Sequence, residues 1–545
     1  MEITVFLKTE YVRESKRRKL SMRIKIRKIM LVTLLVFFYM LSVPQAQTIV
    51  NPDSSLQIIL NDLKGTQISL LQSQEYAKEN STSVKQAEAV YLASLGVLRR
   101  ERGVFDPEFF LSFNYEDQKI PTASFFSGAT VLSTQQTNTS TGLRLNLPIG
   151  TNLELSLNST KLKTNSQFAF LNPEYDAFGA ITLRQPLLTG FTASARKDLK
   201  QAELNVESSK AQYDQEILKT NSTVEEAYWN LYAAERDYAV QKLTLERAEA
   251  VLKEAQLREQ AGLVGPNQVA NAKTFWAQQR LLLIDREEEL DNLSDQLAVL
   301  IGKRPESGSA RFLTIDDPPG NFPIEPLDDL IEYALKNNLE LQAALKNVEI
   351  ADALVNASVW QSLPRVDLVG SLTSNGLGGT SQDVIFAEDT LRSSSGGSFG
   401  DVLSQVFKRK FPGWTIGVEI SIPIGLRSGL GENDRLEAGS LSAQQSYIEL
   451  SRLLEKQVRT SYRELLHGNE RLEVARDGVD AAQEQVRIGM IEFQNGRLSA
   501  FELVRLSEDF AVAQQRYSLA LVKTVKAAAD LKQLTSGYYP SVEKQ

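Results

Sequence analysis

The chain of 545 residues contains no cysteine and a single histidine, His467. Without thiols it forms no disulfide, offers no thiolate to a metal or a substrate, and has no N-terminal cysteine for a lipid. One imidazole excludes most zinc sites and serine–histidine triads, and His467 reads as a polar position on a long helix. Excess positive charge is lacking too. The net charge is −8, and no cluster of basic and aromatic residues of the kind that grips nucleic acid occurs. Carboxylates are plentiful but scattered. No pair of them sits beside a catalytic His or Cys, and there is no metal-ligand cluster or phosphate loop. Neither an enzyme, a cofactor nor a bound metal is expected.

Long hydrophobic runs are also missing, with one exception at residues 29–43. Nine Lys or Arg residues from Arg13 to Lys28 precede it, and Pro44-Gln45-Ala46 follows. Fifteen residues are short for a membrane span and right for a signal-peptide core. Residues 1–46 are therefore expected to direct export and to be cleaved off, with Met22 an alternative start.

Proline is absent between Pro186 and Pro266, and there a heptad appears. Ile217, Val224, Leu231, Tyr238, Leu245 and Leu252 form a large apolar seam; Ala227, Ala234, Ala248 and Ala255 form a small one. A helix over residues 191–261 would extend about 105 Å, and so strict a repeat implies helices supercoiled on one another. The pattern returns 234 positions later. Val458, Leu465, Leu472, Val479 and Val486 make the large seam; Ser461, Gly468, Ala475, Ala482 and Gly489 make the small one. Other positions repeat as well: Tyr76, Ala77, Asn80 and Pro107 as Tyr333, Ala334, Asn337 and Pro364, Pro186 as Pro423, and Gly262 as Gly496. The chain is a tandem duplication.

The first repeat is expected over residues 47–302. It comprises helices at 55–102 with a break near Gly65, strands at 108–186, the long helix at 191–261, a tight turn, and a second helix at 267–300. A proline-rich linker, 303–326, leads to the second repeat, 327–537. That repeat has helix at 327–360, strands at 365–423, a long helix at 430–495 and a last helix at 498–535, followed by a tail, 538–545. The strand regions alternate with period two, as in Leu143, Leu145 and Leu147 or Ile416, Val418, Ile420 and Ile422. Such alternation fits a transmembrane β-barrel and equally a half-buried soluble sheet. The spacing from Pro107 to Pro186 leaves room for a hairpin near Leu143 to Leu157 that the second repeat lacks.

This order of elements resembles the TolC-like outer membrane efflux protein family. Pro186-Leu187-Leu188-Thr189-Gly190 and Ile422-Pro423-Ile424-Gly425 carry the likeness, with the turns around Gly262-Leu263-Val264 and Gly496-Arg497-Leu498. The resemblance implies a mixed α and β membrane protein and a homotrimer. In such a trimer a 12-stranded barrel in outer-membrane lipid is continued by a helical coiled-coil barrel across the periplasm. It also implies a periplasmic adaptor (membrane fusion) protein and an inner-membrane transporter as partners. The chain would be the exit duct of a tripartite efflux or type I secretion system. The alternative is a secreted coiled-coil scaffold or adhesin without a channel.

The family's pattern further points to two kinds of site. Glu502 matches an acidic gate residue at the periplasmic mouth, while Arg505 stands where a second acid is usual, which bears on ion selectivity. The tips, Gly262, Leu263, Val264, Gly496, Arg497 and Leu498, are candidates for docking the adaptor. Pro186 and Pro423 mark the strand-to-helix transitions.

Overall fold

The computed structural model describes residues 54–319, 322–386, 389–392 and 396–538; the expected signal segment lies outside them. In the first repeat α1 (Ser54–Asn61), the short strand β1 (Thr66–Ile68), α2 (Leu70–Asn80) and α3 (Thr82–Gly103) lead to four strands. These are β2 (Glu108–Pro121), β3 (Val131–Asn146), β4 (Asn152–Thr164) and β5 (Leu171–Pro186). Then come α4 (Lys197–Gln260), α5 (Pro266–Ile301) and a strand in the connecting segment, β6 (Phe312–Thr314). The second repeat runs α6 (Leu327–Asn337), α7 (Leu339–Gln361) and β7 (Arg365–Ser381). A small hairpin, β8 (Asp383–Phe386) with β9 (Asp389–Arg392), and the short helix α8 (Phe399–Phe407) precede β10 (Phe411–Ser421). Two helices follow, α9 (Arg427–Gln494) and α10 (Ala500–Leu534).

The long helices α4 and α9 hold 64 and 68 residues. At 1.5 Å per residue they reach about 96 and 102 Å. Their large seams are buried inside the single chain: Val224, Leu231, Val458 and Leu465 are fully covered. The small seam lets helices close up. A Cβ on Gly468 would press on Thr524, and one on Gly489 on Leu506, both in α10. A hydrophobic cluster around Tyr228, Trp229, Leu231, Leu290 and Leu465 joins the two repeats at mid-height.

The helical segments expected at 55–102 and at 327–360 each carry a break that the sequence does not announce. It falls at Ser81 in the first repeat and at Asn338 in the second, where ψ swings to 131° and 125°. The positions are equivalent, and neither carries glycine or proline. The preceding Asn80 and Asn337 each donate from Nδ2 back to the carbonyl of Tyr76 and Tyr333. Asn338 then caps α7 through Leu341 N–H. The break expected near Gly65 falls at residues 62–69 and makes room for β1. It pairs in parallel with β6, so the proline-rich connection contributes a strand to the mid-height core.

The long strands form one antiparallel sheet in the order β10-β7-β5-β4-β3-β2. Four come from the first repeat and two from the second. The hairpin near Leu143 to Leu157 is thus real, and one chain carries six wall strands where a twelve-stranded trimer needs four. The sheet is open in the single chain, with β2 and β10 at its edges.

Candidate functional site

Residues that face each other across an antiparallel ladder share a face of the sheet. One such row crosses all six strands: Phe109, Leu143, Leu155, Ile181, Leu372 and Trp414. All six are exposed, Trp414 to 74% and Phe109 to 67%. The next row on the opposite face reads Glu108, Arg144, Glu154, Thr182, Ser371 and Thr415. Arg144 and Glu154 pair there at 3.0 Å, and Arg184 bridges Asp367 at 2.8 Å and Glu419 at 2.7 Å. An apolar face turned to the surroundings and a charged face behind it is the division a membrane barrel requires, lipid outside and water inside.

The apolar band runs obliquely. On β2 it covers Phe109, Leu111, Phe113 and Tyr115; on and after β10 it covers Trp414, Ile416, Val418, Ile420, Ile422 and Ile424. The middle of the first run, Ser112, lies in the row of Phe411, whereas the middle of the second is Glu419, eight residues further on. That shift is about 27 Å along the strands over five strand spacings of about 24 Å in total, a tilt near 45°. A horizontal lipid band crossing tilted strands gives this slope. Helix α8 lies on the outer face, its Val402 and Val406 packed on Ala177. Gly376 and Gly378 of β7 leave the room it occupies.

At the strand-to-helix junctions one proline closes a wall strand and the other, Pro423, lies two residues past the end of β10. Pro186 is the last residue of β5, and Leu187 donates to Val366 O at 2.8 Å. Gly190 (φ +93°) and Thr192 (φ +41°) then turn the chain, so α4 starts at Lys197 and six residues later than the heptad suggests. Pro423 accepts from Leu426 N–H, and Gly425 (φ +92°) with Leu426 (φ +50°) turns the chain into α9.

The tips are two copies of one turn. Gly262 N–H reaches Glu259 O and Leu263 N–H reaches Arg258 O, both at 2.8 Å; Gly496 and Arg497 repeat this on Phe493 and Glu492 at 2.9 Å. Both glycines are left-handed, at φ +73° and +69°, and close their helices as C-terminal caps. Leu263 is 75% exposed, Gly262, Gly496 and Arg497 are exposed, and Val264 and Leu498 are half-buried. The tips also pack on one another within the chain through Val251, Ala255, Ala272, Phe493 and Leu503. Arg258, which the repeat pattern does not single out, joins them: it donates to Phe493 O at 3.1 Å and covers the Phe493 ring.

Glu502 has a local duty. Its carboxylate accepts from Ser499 N–H at 3.1 Å and Ser499 Oγ at 3.0 Å, while Ser499 Oγ accepts from Glu502 N–H. This capping box starts α10. Those bonds hold the Glu502 carboxyl below its ordinary range, with a weaker pull from Arg505 one turn on. At mid-height Glu235 is buried and accepts from Thr314 N–H at 2.8 Å and Thr314 Oγ1 at 2.9 Å. Burial outweighs those bonds and pushes its carboxyl up to about 7. No helix among the described residues is long and apolar enough to cross a membrane, and no group of His, Asp and Glu among them could hold a metal ion.

The sequence profile of the outer membrane efflux protein family matches residues 150–303 and 330–537, one segment in each repeat. None of the curated proteins matches the sequence. Several solved structures share the fold. The CmeC outer membrane channel of Campylobacter jejuni is 14% identical with a TM-score of 0.58, over 90% of this chain and 88% of that one. The outer membrane protein VceC of Vibrio cholerae is 15% identical with a TM-score of 0.59, over 86% and 97%. The open state of the Neisseria gonorrhoeae MtrE outer membrane channel is 16% identical with a TM-score of 0.58, over 86% and 89%.

Proposed function

Because the chain belongs to the outer membrane efflux protein family, and is thus an outer-membrane efflux channel and not an enzyme, we propose that it serves as the exit duct of a tripartite efflux or type I secretion machine. Three copies close the wall, and the helices extend into the periplasm. The tips meet a periplasmic adaptor, which links them to an inner-membrane transporter. The observation that carries this reading is the open sheet, apolar on one face and charged on the other, joined to helices of about 100 Å that end in exposed turns. An edge strand cannot stay unpaired in lipid, so the single chain is incomplete and needs copies of itself. Exposed apolar residues on the helices, among them Leu281, Ile284, Val474 and Leu519, supply contact area between copies.

Transport through such a duct needs a wet lumen and a gate, not bond chemistry. A ring of three Glu502 carboxylates beside three Arg505 would narrow the mouth and set its ion preference. The purified protein is expected at three times the protomer mass. Leu263→Asp with Arg497→Glu is expected to abolish export in cells while trimer and membrane insertion persist; unaltered export would remove the docking role. Glu502→Ala with Arg505→Ala should raise single-channel conductance, and Ser499→Ala, which removes the cap alone, should not. Equal conductance in all three proteins would leave Glu502 a helix cap and nothing more.

A further inference from the structure

We infer that three copies of this chain close a barrel of eighteen strands, with the β3–β4 hairpin as a full member of its wall. The inference rests on the trimer proposed above and adds what the single chain contributes to it. The hairpin is inserted between β2 and β5, not appended at an edge. β3 pairs with β2 from Val131 to Arg144, and β4 pairs with β5 from Asn152 to Leu162. Toward its base its faces obey the division of the rest of the wall, whereas from Ser133 to Thr141 β3 is polar on both. Leu143, Leu145, Leu153 and Leu155 lie on the apolar side. On the polar side Arg144 meets Glu154, Ser140 Oγ donates to Asn158, and Thr160 Oγ1 donates to Asn138.

The base of the hairpin is built into the helical junctions. Its turn closes with Leu147 N–H on Thr151 O and Gly150 N–H on Leu147 O, both at 2.8 Å. Gly150 (φ +89°) lies so close to Gly190 in the approach to α4 that any Cβ would collide with the Gly190 carbonyl. On the other side Asn146 Nδ2 donates to Val104 O, just after α3. The turn thus spans the gap between the helix that leads into the wall and the helix that leaves it.

Closure works out in direction as well. Strands alternate along β10-β7-β5-β4-β3-β2, so the two edges run oppositely, and β2 of one copy meets β10 of the next antiparallel. Both edges present long apolar rows, Phe109 to Tyr115 and Trp414 to Ile420. With strands about 4.8 Å apart and tilted about 45°, eighteen strands close at a backbone diameter of about 39 Å, against about 26 Å for twelve. Strands per copy rise from four to six while helix junctions stay at four. The outer segment therefore widens relative to the helical tunnel beneath it. Size selection then falls to the helices and their mouth, and the barrel admits whatever solute they pass.

An averaged electron-microscopy map of the intact protein extracted in detergent counts strands and copies together. Three copies with eighteen strands is the expected result. Three copies with twelve strands would overturn this inference and leave the trimer standing, whereas two copies sharing twelve strands would overturn the trimer reading itself. Cysteine pairs give a second readout in a chain that has none of its own. Phe109→Cys with Leu143→Cys, and Leu155→Cys with Ile181→Cys, should each form a disulfide within one chain in membranes. Failure of both in assembled trimers, with linkage instead between Phe109→Cys and Ile181→Cys, would show the hairpin expelled from the wall. In an eighteen-stranded wall those last two positions stand three strand spacings, about 14 Å, apart, too far for a disulfide.

Discussion

Gly262 turns the tip of the first repeat at φ +73°, and 234 residues later Gly496 turns the tip of the second at φ +69° with the same hydrogen bonds. Between the prolines that flank the wall, the repeats part company: four long strands in the first, two in the second. The contrast shows where this architecture tolerates change. A helical tip must reverse two packed helices at a fixed distance, so its geometry is held residue by residue. An antiparallel wall accepts a hairpin at any point, because two added strands return the chain to the direction it had.

The largest expected effects test whether the added hairpin belongs to the wall. Leu155→Lys in the hairpin and Ile416→Lys in β10 place a charge in the lipid-facing band, each at a cost of about 2–4 kcal/mol near the bilayer midplane. Folding into lipid vesicles should suffer equally from both, while Thr182→Lys on the lumen face should fold. A hairpin outside the membrane would make Leu155→Lys harmless.

Next comes a difference in charge at equivalent positions. Glu235 of the first repeat is buried on Thr314; its counterpart in the second, Asn469, donates to Phe322 O at 2.9 Å and does not titrate. The folded Glu235 carboxyl sits at about 7, above its ordinary 4.5, so its ionisation opposes folding. Its contribution to stability is full below about pH 4.5 and is lost as pH rises through about 7, a change of up to about 3 kcal/mol. Melting curves of the intact chain and of Glu235→Gln at pH 5 and pH 8 should show the chain losing stability relative to the variant as pH rises. An unchanged difference would mean that Glu235 is solvated in the assembly.

Smaller effects probe the tips. Gly262→Ala and Gly496→Ala each force a left-handed alanine in open space and should each cost about 1–2 kcal/mol, measured by denaturant unfolding. Unequal losses would break the equivalence of the two turns. Ser499→Ala removes the second repeat's cap at about 1 kcal/mol, whereas Gly265→Ser, at the equivalent position of the first, should gain only a few tenths.

Much of this was legible in the chain before any coordinates. The seven-residue spacing of Leu231, Tyr238 and Leu245 reads directly as a buried seam, because a helix returns to the same face at that interval. The signals that stayed hidden were short or ambiguous. Ser81 and Asn338 break helices through one backbone angle each, with neither proline nor glycine to announce it. From Ser133 to Thr141 strand β3 is polar on both faces, so no alternation marks it and the strand count stayed open. β1 and β6 are three residues each, and their pairing joins positions some 250 apart in sequence. The Ser499-x-x-Glu502 capping box is legible as a motif, a serine followed three residues later by a glutamate at the start of a helix.

The most direct measurement is single-channel recording of the purified, folded protein in a planar bilayer. A hollow wall continued by a helical tunnel predicts discrete conductance steps from trimers, which rise when Glu502 and Arg505 at the mouth are both replaced by alanine. Trimers that insert into the bilayer and carry no current would contradict a channel.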